Sequence, residues 1–173
     1  TNWSNLGSGL IGDFSTAAAM AVYNDDLYVG GRFTNAGGKP TFNIARWDGA
    51  QWSDLDTGVA SDVTALAVDT INNLLYVGGG IYSAGGNSGI NADGIVKWDG
   101  FKWIYGGYSP AISSLAIYHN EIYAGNYNVD DTIIRRFDGV QWHPVVEGPK
   151  TTVFSLEVYN DELYSGGTDY YKL

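Results

Sequence analysis

One five-residue segment recurs four times and limits the folds open to this chain. Leu27-Tyr28-Val29-Gly30-Gly31 reappears as Leu75-Tyr76-Val77-Gly78-Gly79, Ile122-Tyr123-Ala124-Gly125-Asn126 and Leu163-Tyr164-Ser165-Gly166-Gly167. A second marker follows the first three copies, as Trp47-Asp48-Gly49, Trp98-Asp99-Gly100 and Phe137-Asp138-Gly139. A tryptophan stands a few residues beyond each, at Trp52, Trp103 and Trp142. Self-similarity at a near-constant spacing means stacked copies of one supersecondary unit, none of which buries its apolar face alone. The 173 residues include 24 Gly and 14% aromatics but one Met, a composition of short strands and tight turns.

A period of roughly 40–50 residues is that of propeller blades, and each copy parses into four strands. Strand A covers 18–23, 63–68, 112–118 and 153–159. Its alternation places Met20/Val22, Leu66/Val68, Leu115/Ile117 and Leu156/Val158 on one side. The other side carries Ala19/Ala21, Ala65/Ala67, Ser114/Ala116 and Ser155/Glu157, mostly small residues that let innermost strands converge on an axis. Strand B is the repeated Leu-Tyr-Val-Gly-Gly segment, strand C is 44–47 and its copies, and strand D begins at each following Trp. Asn24-Asp25-Asp26, Asn72-Asn73, His119-Asn120 and Asn160-Asp161 form the A–B turns, and the Asp-Gly pairs form the C–D turns. The glycine pair after strand B fits a bulge or a close backbone approach.

The expected fold class is therefore all-β: a four-bladed β-propeller of four-stranded antiparallel blades, one domain over 1–173. Blades fall at about 16–55, 62–105, 111–146 and 152–173 plus 1–6. The last blade lacks its D strand at the C-terminus, while Trp3 matches Trp52 in register. Residues 3–6 are expected to complete that blade and close the ring, removing two exposed sheet edges.

The fuller pattern resembles known propellers. Strand B ending in Gly-Gly, followed by a hairpin bearing Tyr or Trp, is similar to kelch and galactose-oxidase-type repeats. Leu27 to Gly31 with Arg32-Phe33-Thr34-Asn35-Ala36-Gly37-Gly38, Asn43-Ile44-Ala45-Arg46-Trp47-Asp48-Gly49 and Trp52 more closely resembles repeats of bacterial extracellular proteins and fungal cortical polarity markers. The resemblance covers essentially the whole chain and implies a secreted or surface-exposed protein, often part of a longer adhesin-like chain. The start at Thr1, read as a trimmed N-terminus, points the same way. The later copies depart from the pattern: Asn126 replaces a Gly, Phe137 replaces Trp, and the Ala-Gly-Gly loop is lost. A ligand site repeated fourfold is therefore not expected.

Charge and composition exclude several functions. A formal net charge of -10 opposes nucleic-acid binding, which needs a cationic footprint, and no apolar run is long enough for membrane insertion. There is no Cys for a disulfide or thiolate chemistry, and His119 and His143 lack repeat-supported partners. Asp25/Asp26, Asp130/Asp131 and Asp161/Glu162 are read as turn carboxylates. No catalytic residue, metal or cofactor is expected, and the chain is taken not to be an enzyme.

In an up-and-down blade the B–C and D–A loops share one face. The B–C segments 34–43 and 83–93 are long and varied, and variable loops on a rigid scaffold carry function. Expected ligand-binding residues are Arg32, Asn35, Lys39, Asn43, Tyr82, Asn87, Asn91 and Asp93. Phe42, Tyr105, Tyr108 and Tyr127 are further aromatics outside the repeat. The leading expectation is an extracellular binding or adhesion module with a glycan or protein ligand. One alternative is a structural subunit of a homo-oligomer or filament with strand exchange of residues 1–6. A second is a glycoside-active enzyme, which needs a cleft with paired carboxylates.

Overall fold

The computed structural model describes residues 4–86, 89–108, 112–127, 134–145, 151–168 and 170–172. All regular structure is β. The first repeat contributes β1 (Leu10–Ile11), β2 (Thr16–Tyr23), β3 (Asp26–Arg32), β4 (Asn35–Ala36), β5 (Lys39–Pro40), β6 (Ile44–Trp47) and β7 (Trp52–Ser53). The second contributes β8 (Val59–Ala60), β9 (Val63–Asp69), β10 (Leu74–Ala84), β11 (Ile90–Trp98) and β12 (Trp103–Tyr108). The third holds β13 (Ile112–Tyr118), β14 (Glu121–Asn126), β15 (Ile134–Phe137) and β16 (Trp142–Pro144). The fourth holds β17 (Val153–Tyr159), β18 (Glu162–Gly167) and β19 (Tyr170–Lys172).

Four antiparallel sheets follow the repeat, in the orders β2-β3-β6-β7, β9-β10-β11-β12, β13-β14-β15-β16 and β17-β18-β19, and β8 also pairs with β10. A fifth, small sheet, β1-β4-β5, covers the outer side of the first. The turn chemistry is local. Asn24/Asp25, His119/Asn120 and Asn160/Asp161 all take positive φ, the geometry of tight two-residue hairpins. At each C–D turn one Asp Oδ1 accepts two backbone N–H groups: Ala50 and Gln51 on Asp48, Phe101 and Lys102 on Asp99, Val140 and Gln141 on Asp138.

The sheets stack face to face. β2 packs on β9, β9 on β13, and β13 on β17. Between the first two sheets lie Tyr28, Ile44, Val63, Leu75, Val77 and Val96. Ala65, Tyr76, Ile95, Ile112, Leu115 and Ile122 fill the second joint, and Ala116, Tyr123, Val153, Leu156 and Leu163 the third. The first glycine of each strand B permits this approach. A Cβ on Gly78 would stand 2.7 Å from Ile112 Cγ2, and one on Gly125 2.7 Å from Val153 Cγ1.

Two expectations change here. Residues 4–6 form no strand, and among the described residues no sheet closes and β17 makes no comparable packing with β2. Trp52 Nε1 donates to the Leu6 carbonyl at 2.9 Å, holding the N-terminal segment on the first sheet. A buried indole N–H needs an acceptor, and Trp103 and Trp142 find theirs in Leu55 and Gly106. Trp3 lies outside the described residues. Second, 83–93 is not mainly loop. β10 and β11 run on through two register shifts to the Ala84–Ile90 pair, leaving a short tip. The bulges re-aim both strands, so the hairpin continues past the sheet.

Candidate functional site

The face carrying the B–C and D–A segments holds a cavity of about 470 Å³ between the first and second sheets. Its walls come from Phe42 and Asn43, from 57–61 in the connection between the first two repeats, and from Tyr82, Ser83, Ala84 and Gly86 on the extended hairpin.

Local hydrogen bonds fix each wall. Asn43 sits at positive φ, a conformation Asn tolerates. Its Nδ2 donates to the Val59 carbonyl at 2.9 Å, and its Oδ1 accepts from Phe33 N at 3.2 Å. Phe42 forms a parallel bridge with Gly58: Phe42 N donates to Thr57 O at 3.1 Å, and Val59 N donates to Phe42 O at 3.0 Å. Gly58 has φ +92°, and a Cβ there would overlap the Phe42 carbonyl. Asp56, Thr57 and Ser61 also take positive φ, so this connection is tightly coiled. β8 pairs with the hairpin through Ser83–Ala60 and Ala84–Val59. Val59 and Ala84 are buried beneath the cavity, while the rings of Phe42 and Tyr82 are exposed beside it. None of the described lining residues is charged.

The structure brings together two of the expected site residues, Asn43 and Tyr82. Asn43 acts as a brace, because both ends of its amide are spent on backbone. Arg32 ends β3 and lies 3.9 Å from Asp62, with both side chains more than half exposed. Asn35 and Lys39 belong to the small outer sheet. Asn91 pairs with Ser83 in the hairpin. Asp93 accepts the Tyr105 hydroxyl at 2.9 Å, and that hydrogen bond holds the phenol above its ordinary pKa. Asn87 lies outside the described residues. Sequence reasoning missed the wall at 57–61, although Gly58 marked it: a lone Gly between two strands signals a special backbone position.

The histidines have carboxylate neighbours. His143 Nε2 lies 2.7 Å from Asp138 Oδ2, and His119 Nε2 lies 3.2 Å from Asp161 Oδ1. Asp138 is held well below the usual carboxylate range, first by the Gln141 and Val140 backbone N–H groups and then by His143. Both pairs stand on the A–B and C–D turn face, away from the cavity. Among the described residues, no three His, Asp or Glu side chains cluster as metal ligands.

No family model matches the sequence, and no curated protein does. Solved structures do match in fold. The chain is similar to the computationally designed Ika4 protein, at 19% identity and TM-score 0.60, over 99% of this chain and 98% of that one. It is similar to the WD40 β-propeller domain of Doa1, at 15% identity and TM-score 0.56, over 90% of this chain and 50% of that one. It is also similar to the extracellular domain of a one-component system from B. thetaiotaomicron, at 13% identity and TM-score 0.60, over 87% of this chain and 20% of that one. These likenesses show a β-propeller type of fold, in which the chain spans about half or less of two of the three.

Proposed function

We propose that the four repeat sheets are kelch-like blades of a non-catalytic, extracellular binding module, and that its cavity takes a neutral sugar of a glycan. One observation carries this reading: among the described residues the cavity has no charged lining residue, two exposed aromatic rings beside it, and the Thr57, Ser61 and Ser83 hydroxyls along its wall. An aromatic face stacks on the C–H face of a sugar, while hydroxyl and backbone groups hydrogen-bond its oxygens. The cavity is stiff, because hydrogen-bonded backbone sets its walls; a preformed site loses less freedom on binding. Its lining offers no carboxylate pair for glycoside hydrolysis. The extracellular domain among the structural neighbours, together with the repeat resemblance, supports a surface location.

The test is an array of neutral oligosaccharides followed by calorimetry on the binders. Tyr82→Ala and Phe42→Ala are expected to weaken binding at least ~10-fold each, while Lys39→Ala leaves it unchanged. An array without a neutral binder overturns the reading, and so does binding that both aromatic variants retain.

A further inference from the structure

The three joints between repeat sheets use the same positions, and those positions stand unmatched at the two ends of the stack. On the leading face of each later sheet, strand A supplies the apolar residues that dock on the sheet before it. Leu115 and Leu156 are 8% and 7% exposed there. Their counterpart in the first sheet, Met20, is 67% exposed, and Val22 beside it is 66% exposed. On the trailing face, the strand-B glycine receives the next sheet. Gly78 opposes Ile112, and Gly125 opposes Val153, whereas among the described residues the only atom within 4 Å of a Cβ on Gly166 is Ser155 Oγ of its own sheet.

A hydrogen bond repeats the pattern. Tyr23 OH donates to the Asn73 carbonyl at 2.9 Å, and Tyr118 OH to the Asp161 carbonyl at 3.2 Å, each reaching the A–B turn of the following sheet. Tyr159 holds the same position in the fourth sheet. It is 63% exposed, and among the described residues its hydroxyl meets no such carbonyl. The matching turn residue in the first sheet is Asp25.

The N-terminal segment marks where the absent neighbour belongs. Leu6 follows Trp3 as Leu55 follows Trp52 and Gly106 follows Trp103, and all three carbonyls accept the indole N–H of the next sheet. Leu6 thus sits on the first sheet as the tail of a preceding strand D. Among the described residues, the fourth sheet has strands A to C and no D.

We propose that the two end faces dock on each other between two copies of this chain. β17–β19 of one copy seat against Met20 and Val22 of the other and take that copy's N-terminal segment as their fourth strand. Two copies arranged head to tail then form one ring of eight sheets. The occupant is a second copy because three joints of like construction give β17 no packing on β2 comparable to theirs among the described residues. A fourth joint of the same turn within one chain would need all three to change. The arc also superposes on half of the Doa1 propeller domain. Pairing an open sheet with a strand from a neighbour is an established mode of association.

The chain has no Cys, so introduced pairs report cleanly. Ser114 and Val153 meet over Gly125; their counterparts at the open ends are Ser155 and Ala17, both exposed. The Ala17→Cys/Ser155→Cys double variant is expected to oxidise to a covalent dimer, and the unmodified chain to sediment at twice its monomer mass. Met20→Lys with Val22→Lys, on a surface already exposed, is expected to keep the circular-dichroism spectrum and weaken association at least ~100-fold. A monomeric unmodified chain at tens of micromolar overturns the proposal. So does a disulfide formed within one chain, no disulfide at all, or a dimer indifferent to the lysines.

Discussion

The first two repeats and the last two use the same strands and turns, yet they differ in what surrounds them. Of the largest fully buried side chains, all but Ile112 lie between Tyr23 and Val96. The first pair also carries the small sheet, the extended hairpin, the coiled 54–62 connection and the cavity. Among the described residues the last pair carries only its repeat strands, and its final face is largely exposed at Ser155, Glu157 and Tyr159. The repeat thus specifies a scaffold everywhere, while insertions on one half add both core and the walls of a cavity.

Substitutions at matched positions sharpen this contrast. The largest effect is expected at Trp103, buried in the first core with its N–H on Leu55: Trp103→Ala should cost about 3–5 kcal/mol in urea unfolding. Trp142, half-buried in the second core, should cost less; equal losses would mean the halves are equally consolidated. Next, Gly78→Ala sets a Cβ against Ile112 inside a joint and should cost about 1–3 kcal/mol. Gly166→Ala, at the open end, sets its Cβ against the rotatable Ser155 hydroxyl alone among the described residues and should cost less than Gly78→Ala in dilute solution, where chains are unassociated.

Smaller still is Thr64, whose Oγ1 donates to the Ile112 carbonyl at 2.6 Å across the second joint. Thr64→Ala should lose about 1 kcal/mol. Ser113 makes the same bond to Val153 O at the third joint, whereas the first joint has Ala18 at that position. Ala18→Ser should therefore raise stability by up to about 1 kcal/mol, read from the unfolding midpoint. The smallest expected effect is in acid. Backbone N–H groups hold Asp48 and Asp99 below the usual carboxylate range. A depressed folded pKa contributes stability above the unfolded value, and that stability is lost as pH falls through the lower folded one. Thermal melts should weaken below about pH 4, with a shallower decline in Asp99→Asn.

Strands and turns were legible because their signals are local. Asn24-Asp25 and Asp48-Gly49 carry their own geometry, and alternation along 63–68 assigns each side chain a face. How the sheets sit on one another was not legible: the Leu66-on-Gly30 contact is one of many side-chain contacts that set each joint together. The cavity was half legible. Tyr82 and Asn43 stood out in variable segments, but their role depends on Gly58 and Ser61, brought alongside by an unusual backbone path. Arg32 illustrates the converse, a conspicuous cation that is not among the described lining residues and lies 3.9 Å from Asp62.

The indole N–H bonds of Trp52, Trp103 and Trp142 have a practical consequence. Each ring belongs to one sheet and is tethered to the chain segment that leads into it, so each is a built-in fluorophore for a different stage of the stack. The chain holds six tryptophans, so replacing the other five by Phe isolates one of these three as a local emitter, its colour reporting whether water has reached that seam. The order in which the seams come apart on heating can then be followed optically, without any added dye.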